Sequence, residues 1–142
     1  MTTLSALRID DIAALSRGVL RRAGFGEAHA VAITRMIQTC QVDDCQSHGL
    51  FRLFMCGETM RLGTMAADAA PVFDDRDDAV VRVDAGGAMS LLAADAALPR
   101  LAEKARAFGV AALAINRCHH FSALWPEVER LAADGLAAIA MV

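Results

Sequence analysis

The stretch VVRVDAGGAMS, Val80–Ser90, decides the fold class of this chain. Three of its first four residues are valines, which favour a strand, and Gly86-Gly87 then permits a tight turn. A helical pattern follows from about Met89 to Ala107. A strand, a glycine turn and a helix in this order predict an α/β fold with a parallel sheet.

The turn DAGGAMS, residues 84–90, also has the outline of a phosphate site, because a glycine turn before a helix N-terminus can hold an anion. It lacks the GxGxxG spacing of dinucleotide-binding loops and the lysine of the Walker motif. We favour a plain tight turn, and the phosphate site stays open as the weaker alternative.

The pattern continues towards the C-terminus with two more apolar runs. Val110–Ile115 (VAALAI) is typical of a strand buried on both faces, and Ser122–Gly135 predicts another helix. Leu136–Val142 (LAAIAMV) predicts a further buried strand in an interior position. The resulting β-α-β-α-β run places both helices on one face of the sheet, so the opposite face needs another cover.

The part before this run predicts helices only. Apolar residues recur with helical spacing over Ile9–Ala23, Glu27–Val42 and Ser47–Leu62. Residues 1–70 are therefore expected to form an N-terminal helical unit, and residues 71–142 the start of an α/β domain that is larger than this chain. Asp74–Asp78 is interpreted as a solvated acidic turn.

Composition excludes several classes of function. The chain has 142 residues and a formal net charge of −3, which argues against a nucleic-acid surface. No apolar run is long enough to cross a bilayer, and the start has no basic region followed by an apolar block. We expect a cytoplasmic protein without membrane or nucleic-acid partners.

Four cysteines, Cys40, Cys45, Cys56 and Cys118, are expected to be reduced thiols in such a compartment. Cys40, Cys45 and His48 have spacings of five and three residues, which suit chelation from one helix poorly, and no fourth ligand is near. We predict no metal site. A thiol- or metal-responsive protein is the weakest alternative.

Ser47, His48 and Arg52 form the first cluster with chemical potential. On a helix, His48 and Arg52 at i and i+4 share a face, and Ser47 would be the N-cap. A histidine can pass a proton near neutral pH, and an arginine can hold a carboxylate in two hydrogen bonds. The alternative is a helix junction in which Arg52 pairs with Asp43 or Asp44.

A second cluster follows the apolar run at 110–115. His119 and His120 lie at its carboxyl end, where ligands gather in α/β sheets. Adjacent side chains point apart, so one of the two is expected to face a site. Phe121 and Trp125 are expected to be core residues of the following helix.

Together, SHGLFRL (47–53), VDAGG (83–87) and HFSALWPEVE (120–129) resemble the malate/L-lactate dehydrogenase-like NAD(P)H oxidoreductases, a family without the Rossmann fold. The segment HFSALWPE is most similar to the Δ1-pyrroline-2-carboxylate/Δ1-piperideine-2-carboxylate reductases of that family. The resemblance extends over essentially the whole chain.

The resemblance implies a role for each residue of both clusters. Ser47, His48 and Arg52 would form a charge-relay and substrate-carboxylate group, with Arg52 and His48 contacting the substrate. The segment that lines the nicotinamide cofactor would comprise His120, Phe121, Ser122, Ala123 and Leu124. His120 also has a claim to the acid/base role. NADPH and NADH, and a cyclic imino acid and a 2-oxo acid, remain open alternatives.

Family members are more than twice as long as this chain, so the resemblance implies an N-terminal portion with little or no activity alone. It also implies a homodimer and a relay aspartate in the other portion. The remaining alternative is a non-catalytic, truncated remnant that acts by association.

Overall fold

A computed structural model describes residues 6–74 and 76–142. The helices are α1 (Ile9–Arg22), α2 (Glu27–Val42), α3 (Arg52–Arg61), α4 (Ser90–Phe108) and α5 (Trp125–Ala133), and the strands are β1 (Val72–Asp74), β2 (Val80–Asp84) and β3 (Ala112–Asn116). Residues 1–5, at the start of the predicted helical unit, and Asp75, within the predicted acidic turn, lie outside the described ranges. Within those ranges no helix combines the length and hydropathy that a membrane crossing requires.

The predicted bounds of the first two helices are confirmed to within one residue, but those of the third are wrong at its start. A 3₁₀ turn covers Gln46–His48, and α3 begins only at Arg52. The cause is Gln41, whose Oε1 accepts a hydrogen bond from the Leu50 backbone N–H at 3.0 Å. A Cβ on Gly49 would lie 1.8 Å from the same oxygen, so a larger residue at this position would displace the Gln41 side chain from its hydrogen bond.

Helix α2 is the centre of the main core. Its apolar residues Ile33, Ile37 and Cys40 are fully buried. They belong to one cluster that also contains Leu20 from α1 and Leu53 from α3. The same cluster includes residues of the second half of the chain, namely Met89, Leu91 and Phe121. The helices and the region around the sheet are therefore packed together.

The sheet has the order β1-β2-β3 and is mixed. Strands β2 and β3 are parallel, as predicted, with Val83 opposite Ile115. Strand β1, which periodicity did not indicate, pairs antiparallel with β2 and places Phe73 opposite Val83. Helix α4 covers the face that carries these residues, and Ala97 of α4 is fully buried there.

Two predictions about the C-terminal strands are wrong for this chain. Along β3 exposed residues alternate with half-buried ones, so the strand is not buried on both faces. Residues 136–142 form no strand, and Ile139 and Met141 are 87% and 84% exposed. A strand requires a partner with which to pair, and the described residues supply no partner for this segment.

The glycine turn after β2 is a structural junction. Gly86 and Gly87 adopt positive φ angles of 62° and 83°. The Gly86 N–H donates to Asp84 Oδ1 at 2.8 Å, and the Gly87 N–H donates to the carbonyl of Arg117 at 2.7 Å. Because these donors are already used, the favoured interpretation as a tight turn holds, and the turn fixes the loop after β3.

Candidate active site

Ser47, His48 and Arg52 form one hydrogen-bonded group, although they do not share a helix. Arg52 Nη2 donates to His48 Nε2 at 2.9 Å, and Arg52 Nε donates to the Ser47 carbonyl at 2.9 Å. Ser47 Oγ lies 3.0 Å from His48 Nδ1. The 3₁₀ turn replaces the missing helical turn and brings the residues together. Ser47 is therefore not the N-cap of α3.

These contacts define the protonation state of His48. Arginine has no hydrogen-bond acceptor, so Nε2 must present a lone pair to Arg52, and the imidazole proton lies on Nδ1, from which it is donated to Ser47 Oγ. Burial, followed by electrostatic effects of Arg52 and His120, holds the pKa of His48 below its ordinary value. The ring is therefore neutral at pH 7.

The second cluster meets the first through Phe121 and His120. The Arg52 guanidinium carbon lies 5.4 Å from the centroid of the Phe121 ring, a cation–π contact, and Phe121 is 5% exposed. His120 is exposed and close enough to His48 to affect its pKa. His119 contacts the Thr64 carbonyl at 2.9 Å through Nε2. Of the two histidines, His120 therefore acts electrostatically on His48, whereas His119 contacts the Thr64 carbonyl.

The loop that leads into α5 has a strained backbone. Leu124 has φ 64° and ψ −37°, and the Trp125 N–H donates to the Ala123 carbonyl at 2.8 Å, which makes a γ-turn. The Leu124 N–H donates to Ser122 Oγ at 3.3 Å, and Ser122 Oγ donates to Glu127 Oε1 at 2.6 Å. These hydrogen bonds hold the turn against its strain.

A side-chain hydrogen bond also joins the two clusters. Trp125 Nε1 donates to Asp43 Oδ2 at 2.8 Å, which ties the end of α2 to the start of α5. Asp44 accepts a hydrogen bond from Gln46 Nε2 at 2.8 Å. The alternative in which Asp43 or Asp44 pairs with Arg52 is wrong, since the described hydrogen bonds of Arg52 go to the Ser47 carbonyl and to His48.

The four cysteines are free thiols. Burial, followed by the nearby Cys45 and Asp43, raises the pKa of Cys40 to about 11. Burial also raises the pKa of Cys56 to about 11. Cys45 Sγ lies 3.8 Å from His48 Nδ1. In the described part of the chain no three His, Cys, Asp or Glu residues are arranged to hold a metal ion.

Sequence reasoning identified both clusters but missed the contacts that join them. The Arg52–Phe121 and Asp43–Trp125 contacts link positions 69 and 82 apart in sequence. Neither contact has a local signal, because helical spacing reports only neighbours within a turn or two. The only sign available from the sequence was the family resemblance, which assigns the SHG and HF motifs to the same site.

Comparison with known proteins identifies a family and a group of relatives. Residues 7–142 match the malate/L-lactate dehydrogenase family. The chain is 45% identical over 135 residues to Δ1-pyrroline-2-carboxylate reductase 2 of Burkholderia multivorans, covering 95% of this chain and 40% of that protein. It is 46% identical over 141 residues to Δ1-pyrroline-2-carboxylate reductase of Pseudomonas fluorescens, covering 99% and 42%. The chain thus spans about 40% of the length of its curated relatives.

Solved structures agree in fold. The crystal structure of Δ1-piperideine-2-carboxylate reductase from Pseudomonas syringae matches with a TM-score of 0.88 and 35% identity, over 93% of this chain and 40% of that one. Malate dehydrogenase from Pyrococcus horikoshii matches with a TM-score of 0.79 over 95% of this chain and 41% of that one. At 14% identity, the latter match shows the fold alone.

Proposed function

This chain belongs to the malate/L-lactate dehydrogenase family, and from that premise we propose that it is the N-terminal part of an NAD(P)H-dependent reductase. The intact enzyme would reduce a cyclic imino acid of the Δ1-pyrroline-2-carboxylate or Δ1-piperideine-2-carboxylate type, or a 2-oxo acid. The observation that carries the proposal is the hydrogen bond between Arg52 and His48, in which Arg52 also contacts the Phe121 ring. This arrangement places an anion-binding group beside a group that can carry a proton.

Each residue has a defined role in this proposal. Arg52 binds the substrate carboxylate, since its guanidinium offers parallel N–H donors and its central carbon lies over the Phe121 ring. His48 supplies the proton to the imine nitrogen or carbonyl oxygen. Ser47 orients the ring of His48, because its Oγ accepts a hydrogen bond from Nδ1–H. His120, exposed beside His48, is the alternative proton donor.

Residues 120–124 fit the role of lining the nicotinamide cofactor. The strained turn at Leu124 and the Ser122–Glu127 hydrogen bond fix the conformation of this loop, and Phe121 of the loop contacts Arg52. The cofactor, NADPH or NADH, would supply the hydride to the carbon of the imine or carbonyl. Strain held by local hydrogen bonds is a common feature of ligand-binding loops, which supports this assignment.

We further propose that this chain alone has little or no activity, acts in the cytoplasm and belongs to a homodimeric enzyme. Its extent, about 40% of its relatives, supports the low activity. Phe51 and Phe54 are 60% and 75% exposed with ring centroids 6.4 Å apart, which supports association. The same exposed surface favours the second candidate, a non-catalytic module that acts by association.

The decisive experiment adds to this chain the part of a relative that it does not cover. Residues 1–142 are joined to the part of the Pseudomonas syringae reductase beyond its match, and NADPH oxidation is followed with Δ1-piperideine-2-carboxylate. In an active chimera, His48→Ala should lower kcat about 10²–10⁴-fold. Arg52→Ala should lower kcat/KM about 10–100-fold, because a charge-assisted hydrogen bond to the carboxylate is lost.

Arg61→Ala is the matched control, since Arg61 lies on the same helix and pairs only with exposed Glu58 in the described contacts. It should leave kcat/KM unchanged. A folded chimera without turnover would contradict the proposed function. An active chimera that tolerates both His48→Ala and Arg52→Ala would contradict the assigned roles.

A further inference from the structure

The hydrogen bond from Arg52 occupies Nε2 of His48, the atom that would have to carry the catalytic proton. Arg52 Nη2 donates to His48 Nε2 at 2.9 Å, so Nε2 holds no proton while this hydrogen bond exists. If Nε2 takes up a proton, both groups become donors and two positive charges lie in direct contact. The resting arrangement is therefore one in which His48 cannot act as an acid.

The surroundings of His48 offer no negative charge to relieve this conflict. Its neighbours in the described part of the chain are the Arg52 guanidinium on α3, the His120 ring from the loop after β3, the Ser47 hydroxyl and the Cys45 sulfur. The two nearest carboxylates along the chain, Asp43 and Asp44, accept hydrogen bonds from other side chains. Within the described part of this chain, negative charge beside His48 therefore has to arrive with a ligand.

Arg52 has the capacity to receive that ligand. Its described hydrogen bonds use Nε and Nη2, towards the Ser47 carbonyl and His48. A guanidinium has about five N–H donors, so several remain for a carboxylate. A bound carboxylate offsets the charge of Arg52 and competes, as a charged acceptor, with the neutral Nε2.

We propose that the substrate carboxylate and the catalytic proton enter this site as a pair: a carboxylate bound by Arg52 releases His48 Nε2, which then takes a proton from solvent. This inference rests on the proposed function, since it uses Arg52 as the carboxylate-binding residue. Arg52 therefore has a second role, in which it keeps His48 unprotonated until substrate is present.

The sign of the pH dependence follows. In the free site the pKa of His48 is lowered by burial, Arg52 and His120, and a bound carboxylate shifts that pKa upwards. Between the free and bound pKa values, binding takes up a proton, and the affinity for the carboxylate rises as pH falls. The affinity changes by at most about tenfold per pH unit, since one proton is linked.

The test uses this chain with ¹⁵N-labelled histidine and pyrrole-2-carboxylate, a planar five-membered ring that bears the same carboxylate. Binding is followed by fluorescence of Trp125, since the chain has one tryptophan and no tyrosine. Saturation should raise the NMR titration midpoint of His48 by about one pH unit or more. His29 and His119, whose Nε2 atoms contact backbone carbonyls at 3.0 and 2.9 Å, provide the control signals, which the ligand should leave unchanged.

Arg52→Met provides the second arm. Without the guanidinium, the His48 midpoint should rise in the absence of any ligand, and pyrrole-2-carboxylate should cause no further rise. Arg52→Lys, which keeps the charge but loses the planar donor group, should lie between wild type and Arg52→Met.

The outcomes separate the two proposals. Binding that depends on Arg52 but leaves the His48 midpoint unchanged would overturn the coupling while leaving the carboxylate site intact. A wild-type midpoint equal to that of Arg52→Met would also overturn it. Absence of binding at tens of millimolar ligand would overturn both the coupling and the carboxylate role of Arg52.

Discussion

The N-terminal helices α1–α3 and the sheet differ in how completely they are enclosed. Ile33 and Ile37 of α2 are fully buried by neighbours from the chain itself. In the sheet, α4 covers one face, while Ala112 and Ala114 of β3 stay exposed on the other. The group Ser47, His48 and Arg52 therefore adjoins a helix whose apolar side chains are fully buried. The loop after β3, by contrast, follows a strand with one exposed face.

The largest effect on stability is expected when isoleucine is replaced by alanine at a buried position and compared with the same replacement at an exposed one. Ile37→Ala removes a fully buried side chain and should lower the free energy of unfolding by about 2–5 kcal/mol. Ile139→Ala, at a residue that is 87% exposed, should change it by less than about 0.5 kcal/mol. Urea denaturation followed by circular dichroism measures both. Equal losses would show that residues 136–142 pack in solution and would break the comparison.

A smaller effect should separate the two faces of the sheet. Val83→Ala, on the face covered by α4 where Val83 is 1% exposed, should cost about 2 kcal/mol. Val72→Ala removes the same atoms from an edge strand, at a residue that is 66% exposed, and serves as the control. Its midpoint in urea should match wild type. A cost at Val72 as large as at Val83 would mean that the outer face is covered.

The smallest effect concerns the link between the two regions. Asp43→Asn weakens the acceptor for Trp125 Nε1 and should cost about 0.5–1.5 kcal/mol, with a shift in tryptophan emission. Asp44→Asn is the control, because Asp44 contacts Gln46 instead and asparagine tolerates its φ of 54°. Emission unchanged by Asp43→Asn, or shifted equally by both variants, would show that this hydrogen bond does not hold the loop.

The residues of the candidate site could be predicted from the sequence, but the contacts that bring them together could not. The types and spacing of Ser47, His48 and Arg52 left a helix junction as the favoured alternative, and only the family resemblance favoured an acid/base and carboxylate group and added residues 120–124. The route by which the residues meet was predicted wrongly, because the expected helical turn is a 3₁₀ turn. The contact between Arg52 and Phe121 was not predicted at all.

The sequence by itself determined the helices α1, α2 and α4, the strand β2 and the parallel pairing of β2 with β3. Each rests on interactions between residues close in sequence, or on connection rules for a strand, helix and strand, so the pattern was sufficient.

Only the tertiary structure decided where α3 begins, that β1 pairs with β2, and which residues face His48. These features depend on what lies opposite a residue in space. The Gln41 side chain at Gly49, the Asp43 carboxylate at Trp125 and the uncovered face of β3 are all of this kind. A local pattern carries no information about such neighbours. The protonation state of His48 could therefore be inferred only once the fold had shown its contacts with Arg52 and Ser47.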